Sequence, residues 1–137
     1  MWKYYALLSA IFAAMTAILS KVGVKGINGN LATAIRTSVV LVLAWGIVLA
    51  NNDFKSVKEL SKYNLIFLVA SGIATGLSWI FYFKALESGP VSKVAPIDKL
   101  SIVFVLIISF LFLKEPLDLK TIIGGCLIVG GTLVLIL

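Results

Sequence analysis

The chain has 137 residues, of which 61% are hydrophobic and 13% are charged, and its mean hydropathy is +1.10. Soluble domains carry about 25% charged residues, so this composition argues against a soluble fold and indicates an integral membrane protein. The net charge is +6, but most basic residues lie between apolar segments, where they set topology and do not indicate a nucleic-acid partner.

Five apolar segments fill the chain, and each is about as long as the 20 residues that a spanning helix needs. We therefore predict an all-α membrane protein with five transmembrane helices in a single domain over residues 1–137. We expect the lipid bilayer to be one of its partners. The predicted spans are residues 4–24, 31–50, 63–85, 91–113 and 121–137.

The connections between the spans are short. Residues 26–30 are predicted to form a turn, and residues 51–62 an interfacial loop or a short amphipathic turn. Pro90 suits the first turn of the fourth span.

Six lysines fall on the side that holds the N-terminus and four on the other. This weak bias is compatible with one fixed orientation and with insertion in both orientations.

The sharpest features are three charges inside predicted spans: Arg36, Asp98 and Lys99. Both spans start from the same side of the membrane, and Arg36 and Asp98 lie roughly 8 Å and 10 Å past their starts. Similar depth allows an ion pair between them. Lys21 approaches from that side. Lys99 is adjacent to Asp98 and is expected to point about 100° away, toward another acceptor.

Two interpretations of these charges stay open. They line a substrate path or its gate, with Pro96 leaving the Ser92 carbonyl free nearby. Alternatively, Arg36 and Asp98 form a static clamp and Lys99 extends to the interface. Further candidates for the path lie on the third span: the aromatic walls Trp79 and Tyr82, and the hydrogen-bonding groups Ser78 and Thr75. Packing and interface anchoring are the alternative for these four.

Small residues mark where helices approach closely in membranes. The third span carries Gly72-x-x-x-Gly76, and the fifth carries two Gly-Gly pairs. We expect the fifth span to form a dimer seam, with ordinary packing inside one protomer as the alternative. The predicted seam residues are Gly124, Gly125, Gly130 and Gly131.

Residues for catalysis are few. The chain has no histidine and a single cysteine, Cys126, so neither a histidine metal site nor a cysteine cluster is expected. Asp98 is the sole carboxylate well inside a span, so paired acid–base chemistry lacks a partner. We expect no enzyme activity, no metal and no cofactor.

Several ordered motifs resemble one family. Residues 83–101, FKALESGPVSKVAPIDKLS, resemble the junction between the third and fourth spans of EamA-type domains in the drug/metabolite transporter superfamily. The FLKEPL run at 112–117 and IGGCLIVGG at 123–131 are similar to the end of such a domain. PIDKLS at 96–101 and AIRT at 34–37 look like the single-domain branch of that family.

The resemblance implies a function and an architecture. Typical members have two inverted five-span halves around a central cavity and carry small metabolites. A one-half chain would be one inverted repeat, completed by an antiparallel homodimer with dual topology in a prokaryotic cytoplasmic (inner) membrane. The expected function is secondary transport of a small polar or charged metabolite by alternating access. The three membrane charges sum to +1 and favour an anionic or zwitterionic solute. The alternative is a half-transporter or regulatory subunit that needs a different partner chain.

Overall fold

Every regular element of this protein is a helix. The computed structural model describes the whole chain, Met1–Leu137. Its α-helices are α1 (Trp2–Gly23), α2 (Gly29–Ala50), α3 (Lys62–Ser88), α4 (Val91–Asp98), α5 (Ser101–Ile108) and α6 (Leu119–Ile136). A 3₁₀ helix, Asp53–Glu59, follows α2, and a π-helical turn, Ser109–Leu113, follows α5.

The five predicted spans are confirmed as helices that are long and apolar enough to cross a membrane. The first three are α1, α2 and α3, the fourth is Val91–Leu113, and the fifth is α6. The bounds differ from the predicted ones by a few residues: α2 begins at Gly29, two residues before the predicted start. Arg36 therefore lies about 10 Å from the start of its helix. The inverted repeat and the dimer remain predictions.

Side-chain caps fix where two of the spanning helices begin. The Asn28 side chain accepts a hydrogen bond from the Asn30 N–H at 2.8 Å, and Asp118 Oδ1 accepts one from the Thr121 N–H at 2.9 Å. The Thr121 hydroxyl also donates to Asp118. These two bonds, the hydroxyl bond first, hold the pKa of Asp118 below its usual value, because they stabilise the carboxylate.

The fourth span is interrupted near its charged pair. Pro96 lies inside α4, which ends at Asp98, and the next helix begins at Ser101. The N–H that Pro96 lacks would have bonded the Ser92 carbonyl, so the proline weakens α4 on its N-terminal side. The break after Asp98 is instead a tighter turn, in which the Leu100 N–H donates to the Ile97 carbonyl at 3.0 Å. The expectation for Pro90 is off by one residue: with φ −70° and ψ 140° it is the N-cap, and the helix starts after it.

The chain divides into two compact units. The α2–α3 unit is Leu19–Glu87, and the α4–α6 unit combines Met1–Ile18 with Ser88–Leu137. Both bury few residues and expose most of their large apolar side chains, as expected for helices whose solvent is lipid. In the α2–α3 unit the buried residues are Ser20, Val24, Gly29, Ala32, Thr33, Phe83 and Leu86, and in the α4–α6 unit they are Val94 and Thr132.

Candidate functional site

Arg36 of α2 lies against the aromatic face of α3. Its guanidinium carbon is 3.9 Å from the centre of the Trp79 ring and 5.7 Å from the centre of the Phe83 ring. Both distances are within the range of a cation–π interaction. Arg36, which lies several residues inside α2, is therefore held by aromatic rings of α3.

The sequence of α3 explains why these rings meet one cation. Trp79, Tyr82 and Phe83 are spaced by three and four residues, so they share one face of the helix. Phe83 is buried, and the other two are half-buried. We call Arg36 together with these three aromatic residues the arginine–aromatic site.

The guanidinium has no ion-pair partner in its own unit. The three nearest hydroxyls along α2 donate to carbonyls of their own helix: Thr33 to Gly29 at 2.8 Å, Thr37 to Thr33 at 2.7 Å and Ser38 to Ala34 at 3.0 Å. The arginine–aromatic site thus stabilises the charge of Arg36 through ring faces and leaves its hydrogen-bonding capacity for another acceptor.

The start of α2 touches the end of α3 through backbone groups. The Gly29 N–H donates to a Glu87 carboxylate oxygen. A Cβ at Gly29 would lie 2.6 Å from that oxygen and 3.3 Å from the Lys84 backbone nitrogen, so a larger residue requires the Glu87 side chain to move and the α3 backbone to shift by a few tenths of an ångström. Lys21 Nζ donates to the Leu86 carbonyl at 2.5 Å, in the last turn of α3. Lys21, which was predicted to be a gate residue, thus binds a carbonyl at the C-terminal end of α3.

Two other predicted site residues lie on the same helix as the rings. The Thr75 hydroxyl donates to the Ser71 carbonyl at 2.9 Å, and Ser78 is exposed. A Cβ added at Gly72 or Gly76 would meet open space, so this glycine pair does not mark a close contact within the protomer. A role in the solute path remains a prediction for Thr75 and Ser78.

Asp98 and Lys99 form an ion pair with each other, Nζ to Oδ2 at 3.3 Å. The expectation that these neighbours do not face one another and that Lys99 takes another acceptor is wrong. Lys99 still has helical dihedrals, φ −71° and ψ −11°, so the two Cα–Cβ bonds do point apart, and the long lysine side chain bends back toward the carboxylate. The side chains are 55% exposed for Lys99 and 37% for Asp98.

The broken part of the fourth span is also joined to α6. The Thr132 hydroxyl donates to the Pro96 carbonyl at 3.5 Å, and Lys93 Nζ donates to the Ile136 carbonyl at 2.9 Å. The carbonyl with an observed partner is thus that of Pro96 itself. The freed Ser92 carbonyl remains a prediction. So does the Arg36–Asp98 ion pair, whose members belong to different units.

The predicted seam on α6 contains one contact within the protomer. A Cβ at Gly125 would lie 3.2 Å from Leu106 Cδ1, whereas one at Gly124, Gly130 or Gly131 would meet no neighbour within 4 Å. An apolar groove of about 430 Å³ lies between α5 and α6 and includes Gly125 and Cys126 in its lining. Three of the four seam glycines therefore have no packing neighbour within the protomer.

Sequence reasoning missed Phe83 as a second ring, Glu87 as the group at the start of α2, and Thr132 as the partner of Pro96. The first had a detectable signal, because Phe83 follows Trp79 by four residues on one helix face. The other two depend on how helices are rotated against each other, which spacing alone does not give.

Comparison with known proteins gives two findings. The family model described as the EamA-like transporter family matches residues 1–137. A protein of Sinorhizobium sp, described as an uncharacterized transporter in the cobO 3′ region, is 48% identical over 95 residues, which cover 69% of this chain and 67% of that protein. No solved structure matches the chain.

Proposed function

Because the chain belongs to the EamA-like transporter family, and is thus a multi-pass membrane transporter, we propose that it moves a small polar or charged metabolite by secondary transport. In this proposal it works by alternating access as an antiparallel homodimer, in a prokaryotic cytoplasmic (inner) membrane. The whole chain, residues 1–137, forms one five-span domain, and the second copy completes the inverted repeat.

The observation that carries the proposal is the arginine–aromatic site. A charged residue costs about 2.5–3.5 kcal/mol on insertion scales at the centre of a spanning helix and less toward its ends, and charged residues inside spans commonly mark substrate or ion pathways. Arg36 contacts the Trp79 ring at 3.9 Å and has no ion pair in its own unit. A static structural role would favour a neutralised cation, and this one is stabilised without being neutralised.

The dimer part of the proposal is supported by the glycines of α6. Gly124 and Gly131 are seven residues apart on one helix face, and a Cβ added at either would have no neighbour within 4 Å. Glycine faces allow two backbones to approach closely in a membrane. A second copy seated on this face would use a surface that the protomer leaves open.

Transport is tested by uptake into proteoliposomes, with a solute screen on purified protein. Arg36→Gln is expected to reduce uptake by at least about tenfold, because the charge that would bind solute is removed. Lys25→Gln, which removes a positive charge just after α1, is the matched control and is expected to keep full uptake. Unchanged uptake in Arg36→Gln would refute this site as the transport site.

The seam is tested by crosslinking in membranes. Gly124→Leu and Gly131→Leu are expected to weaken the dimer without affecting the protomer fold, because a side chain at either position meets open space in the protomer. Gly46→Leu, at an equally open position on α2, is the control. An intact dimer in both α6 variants would place the seam on another helix.

Dual topology is tested by cysteine labelling in a Cys126→Ser background. A cysteine at Ser56, in the 3₁₀ helix, is expected to react with an impermeant reagent from both sides of the membrane. Reaction from one side alone would reject dual topology. Inactive purified protein, together with recovery of a different chain on crosslinking, would support the half-transporter or regulatory subunit in place of the homodimer.

A further inference from the structure

The arginine–aromatic site restricts the geometry in which Arg36 can meet a ligand. A guanidinium N–H pointing straight at the Trp79 ring would place its nitrogen about 2.6 Å from the ring centre, given the 3.9 Å distance of the guanidinium carbon, which is shorter than any non-bonded contact of this kind. No N–H therefore points straight at the ring centre. The N–H donors of a guanidinium lie in one plane and fan outward, so several of them point away from the ring.

Those N–H groups require acceptors at membrane depth. Unsatisfied donors are strongly unfavourable where water is absent. Arg36 forms no ion pair in its own unit, and the hydrogen bonds of Thr33 and Thr37 run to α2 carbonyls and not to the guanidinium, although both hydroxyl oxygens keep lone pairs that can accept. The planar fork of an arginine matches a planar group with two acceptor oxygens.

We propose that Arg36 binds the carboxylate of the transported solute through its N–H fork while the Trp79 ring holds the other side of the cation. This inference rests on the proposed transport function and names its substrate class: small organic anions or zwitterions that carry a carboxylate. Arg36 lies about 10 Å inside its helix, below the level of lipid phosphates, so a solute is favoured over a headgroup as the source of the oxyanion.

The chain offers an unusually clean chemical test, because Arg36 is its single arginine. Phenylglyoxal, two molecules of which add to one guanidinium, should modify one arginine per chain in lipid nanodiscs, measured by intact mass. The probes are acetate, succinate, glutamate and benzoate, each paired with its amide. We expect at least one carboxylate to slow modification about tenfold in a saturable manner, and its amide to have no effect.

Three outcomes would overturn the inference. Equal protection by an amide would show that charge is not recognised. Protection by phosphatidic acid in the nanodisc, with none by any soluble carboxylate, would assign the site to a lipid phosphate. Slow modification without ligand that becomes fast in Asp98→Asn would show that Arg36 is held by a carboxylate of the protein as a static clamp.

A second readout uses the ring. Trp2→Phe together with Trp45→Phe leaves Trp79 as the sole tryptophan. Its fluorescence is expected to change on binding of the protecting carboxylate, with an affinity at least about tenfold weaker in Arg36→Lys, because lysine lacks the fork. Lys25→Gln is the control with unchanged affinity. Equal affinity in Arg36→Lys would contradict bidentate binding.

Neither measurement requires transport. Carboxylate protection without uptake in proteoliposomes would refute the proposed transport and leave the binding site standing. Uptake of an uncharged solute without carboxylate protection would refute the inference and leave transport standing.

Discussion

The two units solve the same problem, a charge in a spanning segment, in opposite ways. In the α2–α3 unit the guanidinium of Arg36 rests on the Trp79 ring at 3.9 Å, and in the α4–α6 unit Lys99 and Asp98 pair at 3.3 Å. A ring stabilises a cation through its quadrupole and leaves the charge in place, whereas a carboxylate cancels it. Arg36 can therefore still bind an anion, whereas Lys99 is already paired with a carboxylate of the protein.

The units also share a device at helix ends. A lysine ammonium donates to a last-turn carbonyl in each: Lys21 to Leu86 on α3, and Lys93 to Ile136 on α6. Cations near a helix C-terminus satisfy free carbonyls and interact favourably with the helix dipole. The difference between the units therefore concerns the charges deeper in the spans, and two of the four predictions below, the double-mutant cycles, test it.

The largest effect is expected where α2 meets α3. Gly29→Val would place its Cβ 2.6 Å from the Glu87 carboxylate oxygen and 3.3 Å from the Lys84 backbone nitrogen. Overpacking of this kind is expected to destabilise the α2–α3 unit by about 1–3 kcal/mol, measured by thermal unfolding in detergent. Gly46→Val, in the same helix but with open space at Cβ, is the control. Equal melting temperatures for the two variants would contradict the close approach.

The next effect concerns the arginine–aromatic site. A double-mutant cycle with Arg36→Gln and Trp79→Leu is expected to give a coupling free energy of about 1 kcal/mol, because each substitution removes the cation–π contact. Trp79→Phe retains a ring and should lose less stability than Trp79→Leu. A coupling near zero would mean that the two side chains do not support each other.

A smaller coupling is expected for the ion pair of the α4–α6 unit. With Lys99 at 55% and Asp98 at 37% exposure, the cycle with Asp98→Asn and Lys99→Gln should give less than about 1 kcal/mol. The double variant should be more stable than the additive sum of the single ones, since each single change leaves one charge unpaired. A coupling above that of Arg36 with Trp79 would reverse the comparison.

The smallest effect is a pH dependence at the start of α6. The pKa of Asp118 is lowered by hydrogen bonds from Thr121, so the carboxylate contributes stability above its ordinary pKa and loses it as pH falls through the lowered value. Thermal unfolding between about pH 6 and pH 3 should show a larger loss for the wild type than for Asp118→Asn, which caps without titrating. Parallel pH profiles would contradict this role.

Sequence patterns predicted the helices well and the contacts of the charged side chains poorly. The spans follow from apolar length, and the charges inside them are visible in the sequence. The partner of Arg36 seen in its unit is a ring, because the rotation of α3 decides which face α2 meets, and no spacing within either helix determines that rotation. The pairing of Asp98 with Lys99 was missed for a local reason: the 100° rule gives the direction of the Cα–Cβ bonds and does not limit where the end of a long lysine side chain lies.

The turn after the π-helical segment has a practical consequence for biogenesis. Lys114 has φ 55°, a left-handed conformation that favours glycine, and Glu115 N–H donates back to the Ser109 carbonyl at 3.3 Å. Lys114→Gly would relieve backbone strain and at the same time remove one positive charge beside a helix end. This one substitution would thus raise folding stability and reduce the positive charge that helps to orient the chain during membrane insertion. That residue offers a way to separate how the protein folds from how it enters the membrane.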